Sequence, residues 1–113
     1  MDWKKAEERA CEYLRRKGFL IVARNWRWPG GEVDIIAKEG RTLVFVEVKA
    51  RAGLAHGHPA AAVGPEKKRR LIHSARAFLG KRAGEVPVRF DVISILGGEI
   101  THIRGAFGED DVR

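Results

Sequence analysis

Acidic residues set inside two runs of branched apolar residues constrain this chain more than any other feature. The runs are Gly31-Glu32-Val33-Asp34-Ile35-Ile36-Ala37 and Leu43-Val44-Phe45-Val46-Glu47-Val48-Lys49. Residues of this kind at such density favour strands. A carboxylate taken out of water without a partner is strongly disfavoured, so Asp34 and Glu47 call for a cation beside them. Lys49 is one candidate, because side chains two residues apart lie on the same face of a strand. Asp34, Glu47 and Lys49 therefore form a candidate metal-dependent active site. Glu32, on the Asp34 face, is a further ligand or a hydrogen-bond partner for a water at the ion. A second reading stays open: an internal salt bridge of Glu47 with Lys49, with Asp34 at a strand end.

Whether the two acids meet depends on register. The segment Lys38-Glu39-Gly40-Arg41-Thr42 is short, polar and contains a glycine, as a hairpin loop should. A two-residue turn at Glu39-Gly40 sets Asp34 across from Phe45 and diagonal to Glu47. A turn at Gly40-Arg41 sets Asp34 directly across from Glu47. Both registers keep the acids on one face, whereas an odd-numbered loop would separate them.

The rest of the chain supplies a frame for this hairpin. Residues 2 to 17 have helical spacing at Trp3, Ala6, Ala10, Cys11 and Leu14, with Asp2 as N-cap and Gly18 as C-terminal cap. Residues 19 to 24 read as a strand, and 25 to 30 as a connecting segment. Residues 52 to 64, rich in glycine, alanine and histidine, read as a mobile loop. Pro65 opens a second helix with an apolar stripe of Leu71, Ile72, Ala75, Phe78 and Leu79. Residues 88 to 96 read as a strand, Gly97-Gly98 as a tight turn, and 99 to 104 as a short edge strand. Helix, three strands, helix, two strands is the order of an α/β mixed sheet with helices packed on it. Leu43 to Val48 is apolar on both faces for most of its length, so this strand should be central and covered on both sides.

A chain of 113 residues suits one domain. We place it at residues 1–105, with 106–113 as a short frayed acidic tail. The formal charge of +7 favours polyanionic partners, although solubility alone also accounts for it. The lone cysteine, Cys11, leaves no disulfide within the chain and fits a reducing compartment. The N-terminus lacks the apolar run of a signal peptide, and no stretch approaches the length of a membrane span. The expectation is a soluble, cytoplasmic protein without a membrane partner.

Two carboxylates on neighbouring strands make a hard oxygen site of the kind magnesium prefers, with manganese as a substitute. Such an ion can acidify a water and clamp a phosphate oxygen, and Lys49 could orient the attacking water or offset developing charge. Together these parts suit phosphodiester hydrolysis. Lys67, Lys68, Arg69 and Arg70 on the second helix, and Arg51 after the Glu-Xaa-Lys unit, are candidate contacts to backbone phosphates. A solvated basic helix face is the plainer reading for any one of them. His56 and His58 make a weak metal motif in the glycine-rich loop, and His73 and His102 have no evident partner in sequence. Trp26 and Trp28, interleaved with Arg24 and Arg27, suit sealing a core edge better than stacking on bases. There is no Walker-type loop, paired-cysteine zinc motif or serine-centred nucleophile motif.

The Asp34, then Glu47-Val48-Lys49 arrangement on a hairpin resembles the PD-(D/E)XK nuclease superfamily. One branch is closer still. Glu7 to Leu14 with Gly18, Ala23-Arg24-Asn25-Trp26, Gly31-Glu32-Val33-Asp34, Val44 to Arg51 and Arg89-Phe90-Asp91-Val92 together resemble the small bacterial YraN-like family, over nearly the whole chain. The resemblance implies a restriction-endonuclease-like mixed sheet of about five strands flanked by helices. It implies Asp34 and Glu47 as metal ligands, Lys49 as the catalytic lysine, and Glu7 as the first-helix glutamate that often completes the site in Holliday-junction-resolvase-like members, with a solvent-exposed first-turn glutamate as the other reading of Glu7. It favours Lys67 among the basic helix residues, because the family often has a lysine there. The sequence departs from the family pattern at Ala6, where glycine is usual. It departs again at Ala61 within Pro59-Ala60-Ala61-Ala62, where many members carry glutamate, which puts a catalytic role for that loop in doubt.

The leading expectation is a magnesium-dependent endonuclease acting on DNA, including branched or flapped structures. The alternatives are a nucleic-acid-binding module with an inactive site and a protein-interaction domain docking through the basic helix. Resolvase-like members act as dimers because two strands must be cut, so a homodimer is the oligomeric state to test.

Overall fold

The computed structural model describes residues 3–51 and 63–109, except the side chains of residues 3 and 51. Helix α1 (Trp3–Arg16) leads into three strands, β1 (Leu20–Trp28), β2 (Gly31–Glu39) and β3 (Thr42–Arg51). Helix α2 (Pro65–Leu79) continues as one 3-10 turn (Gly80–Arg82) and is followed by β4 (Val88–Leu96) and β5 (Glu99–Phe107). The sheet is mixed, in the order β1-β2-β3-β4-β5. All neighbours are antiparallel except β3 and β4, which run parallel.

The centre of the sheet goes to the strand that is apolar on both faces. Val44, Val46 and Val48 of β3 pack under α1 with Ala6, Ala10, Cys11 and Leu14. Leu43 and Phe45, on the opposite face, pack under α2 with Leu71, Ile72 and Ala75. A parallel β3–β4 pair needs a long crossover, and α2 is its helix. The β2–β3 hairpin turns at Gly40-Arg41, with Glu39 opposite Thr42 and Ile35 opposite Val46. Gly40 has φ +59, the left-handed value that a II′ hairpin turn requires at its first central position.

Two elements are longer than periodicity predicts. β1 runs on to Trp28 instead of stopping at Arg24. The alternation Trp26-Arg27-Trp28 is itself a strand signal, and both indoles find partners. Trp26 meets Phe78 edge to face at 5.3 Å, and the Trp28 indole N–H donates to Ser74 Oγ at 2.7 Å. Gly30 is required here, because a Cβ would sit 2.3 Å from the Trp28 ring. β5 passes Arg104 and ends at Phe107, whose ring stacks on Phe90 at 5.1 Å between centroids. The glycine-rich loop with His56 and His58, and the acidic residues from 110 onward, lie outside the described residues. Among the described residues, no helix is long and apolar enough to cross a membrane.

Candidate active site

The turn at Gly40-Arg41 selects the register that carries Asp34 directly opposite Glu47. Paired residues, however, end at Ile35 and Val46. Val48 is the next residue of β3 whose N–H faces β2, and that N–H donates to Asp34 Oδ2 at 2.8 Å. A side-chain carboxylate has replaced a backbone carbonyl in the ladder, and the two strands part at this point.

β2 also changes face here. Ile35 and Ala37 join the core under α1, and Ile36 joins the core under α2. Strict alternation would put Val33 with Ile35, yet Val33 lies with Ile36 under α2. The break falls on Asp34. On β1, Arg24 pairs with Ile35 and Trp26 with Val33, so Asn25 lies opposite Asp34. Asn25 has φ +49, alone among non-glycine described residues in the left-handed region. Asparagine tolerates that conformation better than most residues. The turned-out amide reaches across to α1 and donates from Nδ2 to Glu7 Oε1 at 2.8 Å.

Three acids therefore approach the split from different elements, and all three are buried: Glu7 at 2% exposure, Asp34 at 6% and Glu47 at 4%. Asp34 is pushed up to about 8, first by burial, then by its hydrogen bond with the Glu47 carboxyl and by the Glu47 and Glu7 charges. The Val48 N–H pulls the other way. Lys67 of α2 adds a cation: its Nζ lies 3.2 Å from Glu47 Oε2. That contact has ion-pair distance without hydrogen-bond alignment, and Glu47 Oε2, like Glu7 Oε2, has no hydrogen-bond donor among the described residues.

The predicted residues divide as follows. Asp34 and Glu47 are together, with Glu7 near enough to raise the Asp34 carboxyl. Lys49 is half-buried on the Glu47 face of β3 and has no hydrogen-bond or ion-pair partner among the described residues. The internal Glu47–Lys49 salt bridge is thus not what the strand contains; Lys67 takes that place. Glu32 is exposed and pairs with Arg27 at 3.3 Å, outside the buried set. Lys68 sits over the Phe107 ring at 5.7 Å, while Arg69 and Arg70 are exposed. Arg51 ends β3, opposite Leu96. A groove of about 330 Å³ beside Lys67 is lined by Arg27, Trp28, Gly31, Glu32, Arg70 and Leu71. Trp28 contributes a ring already packed under Gly30, so it seals this edge. Asn25 is the site residue that sequence reasoning passed over, since only the backbone reveals its left-handed turn.

The donor set fits a hard divalent cation. Two buried carboxylates on adjacent strands, each oxygen-rich and one with an oxygen lacking a donor, suit an ion that retains several waters. Among the described residues, no group of three or more histidine, cysteine or acidic side chains is placed to hold a metal ion, so the protein's share of the ligands is the two carboxylates. Asp34 and Glu47 would hold the ion, with Glu7 behind them.

A second buried aspartate supplies the internal control. Asp91 on β4 is fully buried, yet Arg89 Nε and Nη2 donate to it at 2.8 and 2.9 Å, and the Gly105 N–H donates at 3.0 Å. His102 Nε2 stands 2.7 Å from Asp91 Oδ2, and His102 Nδ1 is 3.0 Å from the Tyr13 hydroxyl. Burial opposes ionisation here too, but these partners outweigh it and hold Asp91 down at about 2. His102, without an evident partner in sequence, belongs to this structural network.

An α/β domain whose mixed five-stranded sheet carries a buried acid pair where two strands part is the class that this fold and site define. Residues 6–95 match the profile described as Uncharacterised protein family UPF0102, and the chain belongs to that family. It is 44% identical over 109 residues to a UPF0102 protein of Syntrophotalea carbinolica, covering 92% of this chain and 89% of that one. A UPF0102 protein of Ralstonia pickettii is 46% identical, over 92% and 87%. One from Persephonella marina is 42% identical, over 95% and 93%. This is the YraN-like family that the ordered motifs resemble.

Proposed function

We propose that the protein is a metal-dependent phosphodiester hydrolase acting on nucleic acid, with DNA as the substrate to test first. The contrast between two buried aspartates carries this reading. Asp91 is saturated with donors, which hold its carboxyl down, whereas Asp34 faces two other acids and its carboxyl is pushed up to about 8. Like charges assembled at Asp34 are an arrangement that a bound cation would relieve.

Magnesium or manganese bound by Asp34 and Glu47 would supply Lewis acidity at the phosphate and lower the pKa of a water. The chain's own groups supply the rest. The Val48 N–H and the β2–β3 register hold the Asp34 carboxylate in place. Asn25 orients Glu7 behind it. Lys49, unpaired among the described residues and on the Glu47 face, supplies positive charge for the attacking water and for the extra negative charge on phosphorus. Water oxygen bonds to phosphorus, the bond to the leaving oxygen breaks, and the proton released by water finally balances that oxygen. A net charge of +7 favours the polyanion's approach.

The test is a cleavage screen over junctions, flaps, duplexes and single strands with magnesium or manganese, using wild type, Asp34→Ala and Glu47→Ala. Cleavage should require metal and vanish in both variants while circular dichroism stays unchanged. Cleavage retained by both variants would refute the assignment. The Lys67–Glu47 ion pair also favours a second reading, a binding module whose lysine has taken the place of a metal. That reading expects salt-sensitive binding that ignores magnesium and no cleavage of any substrate.

A further inference from the structure

Lys67 touches two compartments at once. Its ammonium reaches in to Glu47 Oε2 at 3.2 Å, and its side chain also lines the groove with Arg27, Trp28 and Arg70. Glu47 is 4% exposed and Lys67 35%, so the lysine approaches a buried acid from the solvent side. Because the contact is an ion pair without hydrogen-bond alignment, Glu47 Oε2 keeps its lone pairs available. Lysine is a point charge on a flexible stem, able to pivot without moving its helix. An ammonium and a divalent ion resting against the same carboxylate oxygen repel each other in a buried site, so the two compete for it.

We propose that Lys67 is a positioning residue that neutralises Glu47 until a divalent cation takes its place, and that the released ammonium then turns into the groove to meet a phosphate of the nucleic-acid strand. The inference rests on the proposed function. It gives that site an order of events: cation and polyanion each remove an obstacle to the other, so each tightens the other's binding. Arg70, exposed on the groove wall one helical turn further along α2, extends the same phosphate track.

The test is Mn2+ binding, followed by the electron paramagnetic resonance signal of the free ion, with no cleavage readout. Without nucleic acid, Lys67→Met should bind Mn2+ about tenfold more tightly than wild type, and Lys67→Arg should stay near wild type. Lys67→Gln serves as a second neutral variant, and circular dichroism establishes that each is folded. A phosphorothioate oligonucleotide should tighten Mn2+ binding several-fold in wild type, after correction for ion bound by the oligonucleotide alone, and should leave Lys67→Met unchanged. Neutral variants that bind Mn2+ no better than wild type overturn the role of Lys67 alone, provided that wild-type binding is lost in Glu47→Gln. If wild type shows no Mn2+ binding that depends on Glu47, the proposed function falls together with it.

Discussion

Replacing Asp34 by asparagine separates what the site costs from what it does. The oxygen of the new amide can still accept from the Val48 N–H, and its nitrogen can donate to Glu47 without borrowing a proton. The sign follows from linkage. The Asp34 carboxyl is raised in the fold from 3.8 to about 8, so the folded chain binds a proton that the unfolded chain has released. Its contribution to stability is complete below pH 4 and drains away as pH rises toward 8. At about 1.36 kcal/mol per unit, the ceiling is about 6 kcal/mol. Relaxation and the Lys67 charge reduce the realised loss, and we expect Asp34→Asn to gain about 1–3 kcal/mol over wild type at pH 8 with metal chelated. For a chain of this size that is a rise of about 4–15 °C in Tm. Thermal melts of both proteins at pH 5 and pH 8 in EDTA measure it. The gap should be small at pH 5 and wide at pH 8, and added Mn2+ should narrow it by stabilising wild type alone. An Asp34→Asn variant no more stable than wild type at pH 8, or a gap that ignores pH, would refute the crowding of like charge at this position.

Asp91 should behave in the opposite sense. Its carboxyl is lowered to about 2, so its stabilisation is present above pH 4 and is lost as pH falls toward 2; Asp91→Asn should cost about 2–4 kcal/mol at pH 7 and flatten the acid limb of a urea-denaturation profile. At Asn25, Asn25→Ala should cost about 1–2 kcal/mol, because alanine resists φ +49 and the bond to Glu7 is lost. Asn25→Gly should recover the backbone part in the same chemical melts while still lacking that bond.

Much of the fold is legible in residue order. Pro65, Gly40 and the Gly97-Gly98 pair mark boundaries where the elements do begin and turn. β4 spans Val88–Leu96, as its apolar run predicts. Boundaries fail where a polar-looking segment is kept in the sheet by distant aromatics. Trp26 and Trp28 hold β1 onto Phe78 and Ser74, and Phe107 holds the end of β5 onto Phe90. These contacts join residues far apart in the chain, and local periodicity does not contain them.

The site divides in the same way. Asp34 and Glu47 stand out in sequence because acids in apolar runs are costly, and two-residue hairpin turns keep them on one face. Glu7 becomes visible only through resemblance, and Asn25 only through its backbone.

By itself, then, the order of residues determined where the strands lie to within their ends, which strand lies at the centre and which two acids could share a face, because pattern and turn chemistry act over a few neighbours. Tertiary structure decided that Glu47 meets Lys67 instead of Lys49, that Glu32 stays outside, and that β2 parts from β3 at Asp34. Those outcomes depend on how a helix beyond the hairpin docks and how buried charges find partners across the sheet, where free energy is settled by distance in space rather than along the chain.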